Sequence, residues 1–269
     1  MRGAVLLLLA GCFHPDPATG APCASTGACP TPLVCLADVC TTAGPTDAGP
    51  GADGPADAST DALQSGPRLL LHMDDDPSDG ALDSAANHAA VCDPECPRQT
   101  GNAHAGEAYR FRGKESLAVT PAIDFHPGPA GFTLATWVNV STPPTAPQTF
   151  YALVAKGLPP DDASFGLSVT GSPLHASYYT SQHQSNGTAP LAVGTWHHVA
   201  MTWTPTAVTG YLDGVQDAQQ ASLPLVFDDA APLTIGVDND ANGLVGLLDE
   251  LAYYDRPLSA TEIAALAAP

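Results

Sequence analysis

Basic residues are scarce in this 269-residue chain: two lysines and six arginines stand against 28 acidic residues, for a formal charge of −20. A surface so acidic repels phosphate backbones, which argues against nucleic-acid binding. Cations are its natural partners, although solvated acidic faces also serve solubility alone. Long apolar runs are missing too. The single candidate, Ala4 to Gly11 behind Arg2, would rise about 12 Å as a helix against a hydrocarbon core of ~30 Å, so it does not span a membrane. Helical periodicity is almost absent, and no H-E-x-x-H, G-x-S-x-G or phosphate-loop pattern occurs.

What is present begins with an odd number of cysteines, seven, where an exported chain that paired them all would need an even one. Arg2 and the apolar run read as the n- and h-regions of a signal peptide over residues 1–11. Leu9-Ala10-Gly11-Cys12 then resembles the lipobox of bacterial lipoproteins, whose cysteine receives a diacylglycerol after cleavage. The resemblance implies that Cys12 is lipidated and becomes the first mature residue, with a membrane attachment that multiple acyl chains make stable. Phe13 replaces the aspartate of the usual inner-membrane retention signal, which points to the outer membrane, facing the exterior or the periplasm. An ordinary cleaved signal peptide with an incidental cysteine is the alternative.

Residues 12–40 carry Cys23, Cys29, Cys35 and Cys40 within eighteen positions. So short a piece buries no core and takes its shape from cross-links, so two disulfides are expected; three connectivities stay open. Zinc is the rival, although the spacings are wide and no histidine lies among them. Residues 41–66 contain four aspartates, no basic residue and one large apolar side chain, Leu63. Nothing there offsets the entropy of ordering, and the stretch reads as an acidic linker spanning on the order of 30 Å.

From residue 67 to 269 the pattern changes to short β-rich runs separated by Gly, Pro, Asn and Asp. In WHHVAMTW, Val199, Met201 and Trp203 alternate onto one face, while His197 and His198 fall on opposite faces. Leu212-Asp213-Gly214-Val215 carries a hairpin signal. The spacing predicts an all-β, two-sheet antiparallel jelly-roll sandwich. One helix is expected at the C-terminus, where Ser259 and Glu262 form a capping box ahead of Ile263 and Leu266.

The succession LLLHMDDD, AYRFRG, FTLATWVNV, LVAKG, GTWHHVAMTW, GYLDG, LTIG and GLLDELAYYDRPLSATEI resembles the laminin-G-like, concanavalin A-like jelly-roll modules of secreted and surface proteins. That fold hosts lectins, adhesion modules, glycanases and lyases, so function has to come from a site. In LLDELAYY, Asp249 alternates with Leu247, Leu251 and Tyr253 and is expected on the apolar side, with Glu250 pointing away. The resemblance implies a structural calcium held by Asp249 with the first-strand end near Asp74; a carboxylate capped by backbone N–H groups is the alternative. A second pattern, Asp238-x-Asp240-x-Asn242-Gly243 with Asp249 at the twelfth position, has EF-hand spacing, and an Asp/Asn/Gly hairpin loop explains it more cheaply.

Cys92-x3-Cys96, flanked by His88 and His104, reads as a local disulfide, with zinc as the rival. Only five glutamates occur (Glu95, Glu107, Glu115, Glu250 and Glu262), and none falls into the E-x-D-x-E or E-x-D-x-x-E spacing that resembles a retaining glycanase on this fold. Nor is there a Q-x-H with a Tyr/Lys pair as in the fold's lyases. Tyr178, Tyr179 and His183 border a polar stretch and could line a sugar patch, although a strand end with a solvated loop reads the same way. Trp137, Trp196 and Trp203 sit inside strand patterns and are expected in the core. The sequence reading is thus a surface-displayed lipoprotein carrying a non-catalytic module that binds a glycan or extracellular protein, with structural calcium. The alternative is a carbohydrate-active enzyme with a divergent site.

Overall fold

Alternation of large apolar and small or polar residues dominates the chain from residue 67 onward, and the computed structural model turns that alternation into two stacked sheets. It describes residues 33–36, 39–42, 66–86, 88–145, 149–157, 164–181, 183–222, 224–227, 230–237 and 242–269. Two units divide the chain, Met1–Asp57 and Ala58–Pro269. In the first, β1 (Leu33–Leu36) and β2 (Val39–Thr42) form an antiparallel pair whose register sets Cys35 opposite Cys40.

The second unit runs through β3 (Leu69–Leu71), β4 (Ala81–Leu82), β5 (Ala89–Cys92), β6 (Arg98–Thr100), β7 (Ala108–Arg112), β8 (Leu117–Thr120), β9 (Phe132–Val140), β10 (Phe150–Lys156) and β11 (Phe165–Thr170). It continues with β12 (His175–Thr180), β13 (His183–Pro190), β14 (His197–Trp203), β15 (Ala207–Leu212), β16 (Val215–Ala221), β17 (Leu233–Ile235), β18 (Val245–Tyr254) and helix α1 (Ala260–Leu266). The back sheet has the order β13-β12-β11-β10-β17-β8-β5-β4. The front sheet has the order β16-β15-β14-β9-β18-β7-β6, with β3 also paired to β18. This is the jelly-roll sandwich the sequence pattern predicts.

The inner faces make one apolar core. Phe132, Leu134, Val138 and Val140 of β9 meet Val199, Met201 and Trp203 of β14 and, from the back sheet, Phe165, Leu167 and Val169. Phe132 lies between Phe165, at a ring separation of 4.2 Å, and Tyr253 and Trp203 at about 6 Å. Tyr178 of β12 is fully buried and crosses toward β15, where Gly210 leaves room: a Cβ there would come within 2.2 Å of the tyrosine ring. Its hydroxyl donates to Asp217 of β16 at 3.1 Å, and Asp217 also accepts the Thr188 and Ala189 N–H groups of β13. One buried carboxylate therefore ties the edge strands of both sheets together by accepting from one hydroxyl and two backbone N–H groups.

The outer face of the front sheet has a separate cover. Helix α1 starts on the expected capping box, Ser259 accepting from the Glu262 N–H while Glu262 accepts from the Ser259 N–H. Its Ile263, with Leu258, packs on Ala135, Ala200 and Tyr211. Those small outward residues on β9 and β14 let a helix lie against the sheet.

Candidate functional site

β18 carries a bulge: its register with β9 runs Asp249↔Trp137 and then Ala252↔Ala135, so two residues oppose one, and Glu250 has φ +48°. A bulge shifts the side-chain alternation by one position. Leu248, Leu251 and Tyr253 therefore face the core, and Asp249 faces outward beside Trp137. Asp249 was expected on the apolar side, and the bulge is the physical reason that it is not. Directly across β9, His198 of β14 is the other register partner of Trp137, so Asp249, Trp137 and His198 form one row across three strands of the outer face.

The loop between β6 and β7 folds over that row. Asp249 Oδ2 accepts the N–H groups of His104 at 2.9 Å and Ala105 at 3.0 Å, and Oδ1 accepts the Glu250 N–H at 2.9 Å. Thus pinned, the loop lays the His104 imidazole flat on the Trp137 indole, 3.5 Å between centroids and 11° from parallel. The His198 ring, the neighbour of Trp137 in the row, meets it edge-on at 5.4 Å. Asp249 is fully covered, and burial pushes its carboxyl up to about 6 even though the Ala105 and His104 N–H groups pull the other way. His198, 2 % exposed, is driven down to about 4 by burial, against the nearby charge of Asp213. It is a neutral imidazole at neutral pH, and its buried Nδ1 has no hydrogen-bond partner.

Between this loop and α1 lies a cleft of about 320 Å³. Ala135 and Ala252 form its small-residue floor, Trp137, His104 and His198 one wall, and Leu266 and Tyr254 the helix side. Pro67 and Leu70 close it beside β3, and Glu250, paired with His72 at 2.9 Å, stands on the rim. Mostly apolar walls with a few convergent polar groups are the usual make-up of a small-ligand site.

A sequence model of the concanavalin A-like lectin/glucanases superfamily, of the laminin-G type, matches residues 112–264, more than half of the chain. The chain belongs to that superfamily. No curated protein matches it in sequence. Among solved structures, domain 4 of AbnA, an extracellular GH43 arabinanase from Geobacillus stearothermophilus solved with arabinotriose, superposes with a TM-score of 0.59 at 19% identity, over 76% of this chain and 99% of that one. Trypanosoma rangeli sialidase gives 0.58 at 18% identity over 74% of this chain, which spans 32% of the sialidase. The botulinum neurotoxin type G receptor binding domain gives 0.54 at 10% identity, over 76% and 51% of the two chains. At such identities the likeness is one of fold.

Within this concanavalin A-like domain the residues singled out by sequence fall in different places. Cys92 and Cys96 are disulfide-bonded. Their flanking histidines are engaged elsewhere, His88 between Asp83 at 2.6 Å and Asp124 at 3.2 Å, and His104 on Trp137. At Asp249 the arrangement is that of a carboxylate capped by backbone N–H groups, two on Oδ2 and one on Oδ1. Asp74 is likewise turned to a donor, the Glu107 N–H at 2.6 Å. Among the described residues no group of three or more His, Cys, Asp or Glu is arranged to hold a metal ion. The backbone oxygen of Asn242 accepts from the Ala152 N–H. Cys12, Cys23, Cys29, Asp238 and Asp240 lie outside the described residues, as do the side chains of Cys35, Cys40 and His183.

The expected Tyr178–Tyr179 patch does not form. Strand alternation sends the two rings to opposite faces: Tyr178 is core, and Tyr179 lies outside the back sheet over Gly166, where a Cβ would come within 2.2 Å of its hydroxyl. Trp203 is in the core as expected, whereas Trp137 is on the outer face under His104. Sequence reasoning missed the cleft because its parts come from β3, the β6–β7 loop, β9, β14, β18 and α1. One signal was available: Trp137 is out of phase with Phe132, Leu134, Val138 and Val140, all inward in a period of two.

Proposed function

We propose that the domain is a non-catalytic carbohydrate-recognition module that seats a sugar unit in the cleft beside Trp137. The observation carrying this reading is the cleft itself: an aromatic wall, a floor of alanines and one buried imidazole nitrogen without a partner. Sugars offer apolar C–H faces and hydroxyls to those two kinds of group. Support also comes from the domain of the arabinanase, which superposes along 99% of its length and was solved with an arabinose trisaccharide. In this reading Cys12 carries a lipid, the acidic stretch of residues 41–66 is a tether, and the module is displayed outside the cytoplasm from the outer membrane.

The test is a panel of oligosaccharides and polysaccharides read for both retention and turnover by the full chain. Retention without turnover, abolished by Trp137→Ala, is the expected result; hydrolysis or elimination products would replace this reading with that of an enzyme. The enzyme reading draws on the carboxyl of Asp249, held near 6 in the range useful to a general acid, although its oxygens are already engaged by three N–H groups. For the anchor, intact mass of membrane-extracted protein should show an acylated Cys12, lost in Cys12→Ser; an unmodified thiol there would exclude it.

A further inference from the structure

The ring that covers Trp137 belongs to the protein itself. His104 lies parallel to the indole at 3.5 Å, the spacing and attitude at which a flat ligand or the C–H face of a sugar stacks. The segment that carries it, Gly101-Asn102-Ala103-His104-Ala105-Gly106, has glycine at both ends and alanine on both sides of the histidine. Its other side chains are small, and Ala105 and Gly106 are exposed. The attachments are backbone ones: His104 and Ala105 donate to Asp249, and Glu107 donates to Asp74. Gly106 has φ +53°, and a Cβ there would overlap the Asp74 carboxylate, so a larger residue would be strained and would push Asp74 off the Glu107 N–H. Beside the same indole, His198, which lines the cleft together with His104, keeps its Nδ1 buried without a partner.

We propose that His104 is a displaceable latch: its imidazole occupies the Trp137 face until a sugar ring entering the cleft takes its place and gives His198 the missing partner. The inference rests on the reading of the cleft as a sugar site. Exchanging one stacked ring for another leaves little apolar surface newly exposed, so the latch lowers apparent affinity by the fraction of molecules in which it is closed.

The test titrates the full chain and its His104→Ala variant with arabino-, xylo-, gluco- and galacto-trisaccharides, and follows amide hydrogen exchange at His104 and Ala105. His104→Ala should bind about three- to tenfold more tightly than the native chain, the worth of one aromatic stack. In the native chain, a saturating trisaccharide should speed exchange at both amides. Binding by the variant alone also supports the latch. If a trisaccharide bound by the native chain binds the variant equally or more weakly, or leaves both amides protected, His104 is a fixed wall; the latch falls and the sugar site stands. If neither chain binds any trisaccharide, both readings fall.

Discussion

The two faces of β9 put one backbone to opposite uses. Its inner row, Phe132, Leu134, Val138 and Val140, meets a second sheet already patterned to receive it and is fully or almost fully buried. Its outer row, with Ala135 and Trp137, has no second sheet. Cover there is assembled from α1 and the β6–β7 loop, and where the two covers fail to meet, the cleft remains. The inner face is held by area; on the outer face α1 packs through a small apolar cluster, while the β6–β7 loop is held by a few directed hydrogen bonds and one ring stack. Elements held by a few bonds open at lower cost than a packed core, so the outer face is where a ligand can be admitted.

The largest expected effect separates the rows directly. Phe132→Ala should cost ~3–5 kcal/mol in urea unfolding while leaving the folded fraction competent to retain glycan. Trp137→Phe should keep most of the stability and lose retention. A reversal of these outcomes would break the contrast between a stabilising face and a binding one.

Next come opposite pH responses in the outer row, each read as a difference from the native chain. His198, lowered to about 4 in the fold, contributes stability that is lost as pH falls from ~6.5 toward 4, since the unfolded chain takes up the proton first. His198→Phe should therefore gain about 3 kcal/mol relative to the native chain on going from pH 6.5 to 4. Asp249, raised to about 6, works the other way: its contribution is full below ~3.8 and is lost as pH rises through 6. Asp249→Asn should accordingly lose up to about 2–3 kcal/mol relative to the native chain as pH is lowered from 6 to 4. Parallel slopes in the two variants would mean that the row does not hold a neutral imidazole beside a reluctant carboxylate.

Smaller effects probe the cover. Ser259→Ala removes the capping box of α1 and should cost about 1 kcal/mol, with faster amide exchange at Ile263. Asp255→Asn breaks the exposed ion pair with Arg68. It should change stability by less than ~0.5 kcal/mol and by nothing measurable in 1 M salt.

Much of the fold was legible because a sheet with one buried face writes a period of two into its strands. Val199, Met201 and Trp203 read as inward and are, and the capping box at Ser259 is a local contact three residues long. The site was less legible. Asp249 stands out in the sequence as a carboxylate among leucines, yet its direction does not, because a bulge leaves no mark in an apolar run except a phase that slips. Tyr178 and Tyr179 are adjacent in the chain and lie on opposite faces of a sheet. His104 looked like a companion of the nearby cysteines and instead serves Trp137, thirty-three positions on.

By itself the sequence determined the layered β body, its capped terminal helix and the acidic net charge, since alternation, capping and net charge are each written in short stretches or in sums. Only the tertiary structure decided that Asp249, Trp137 and His198 share a row, that a loop covers them and that a cleft stands open beside it. Register and bulge positions arise from pairing between strands far apart in the chain, and no local pattern encodes which side chain will face its partner across that distance.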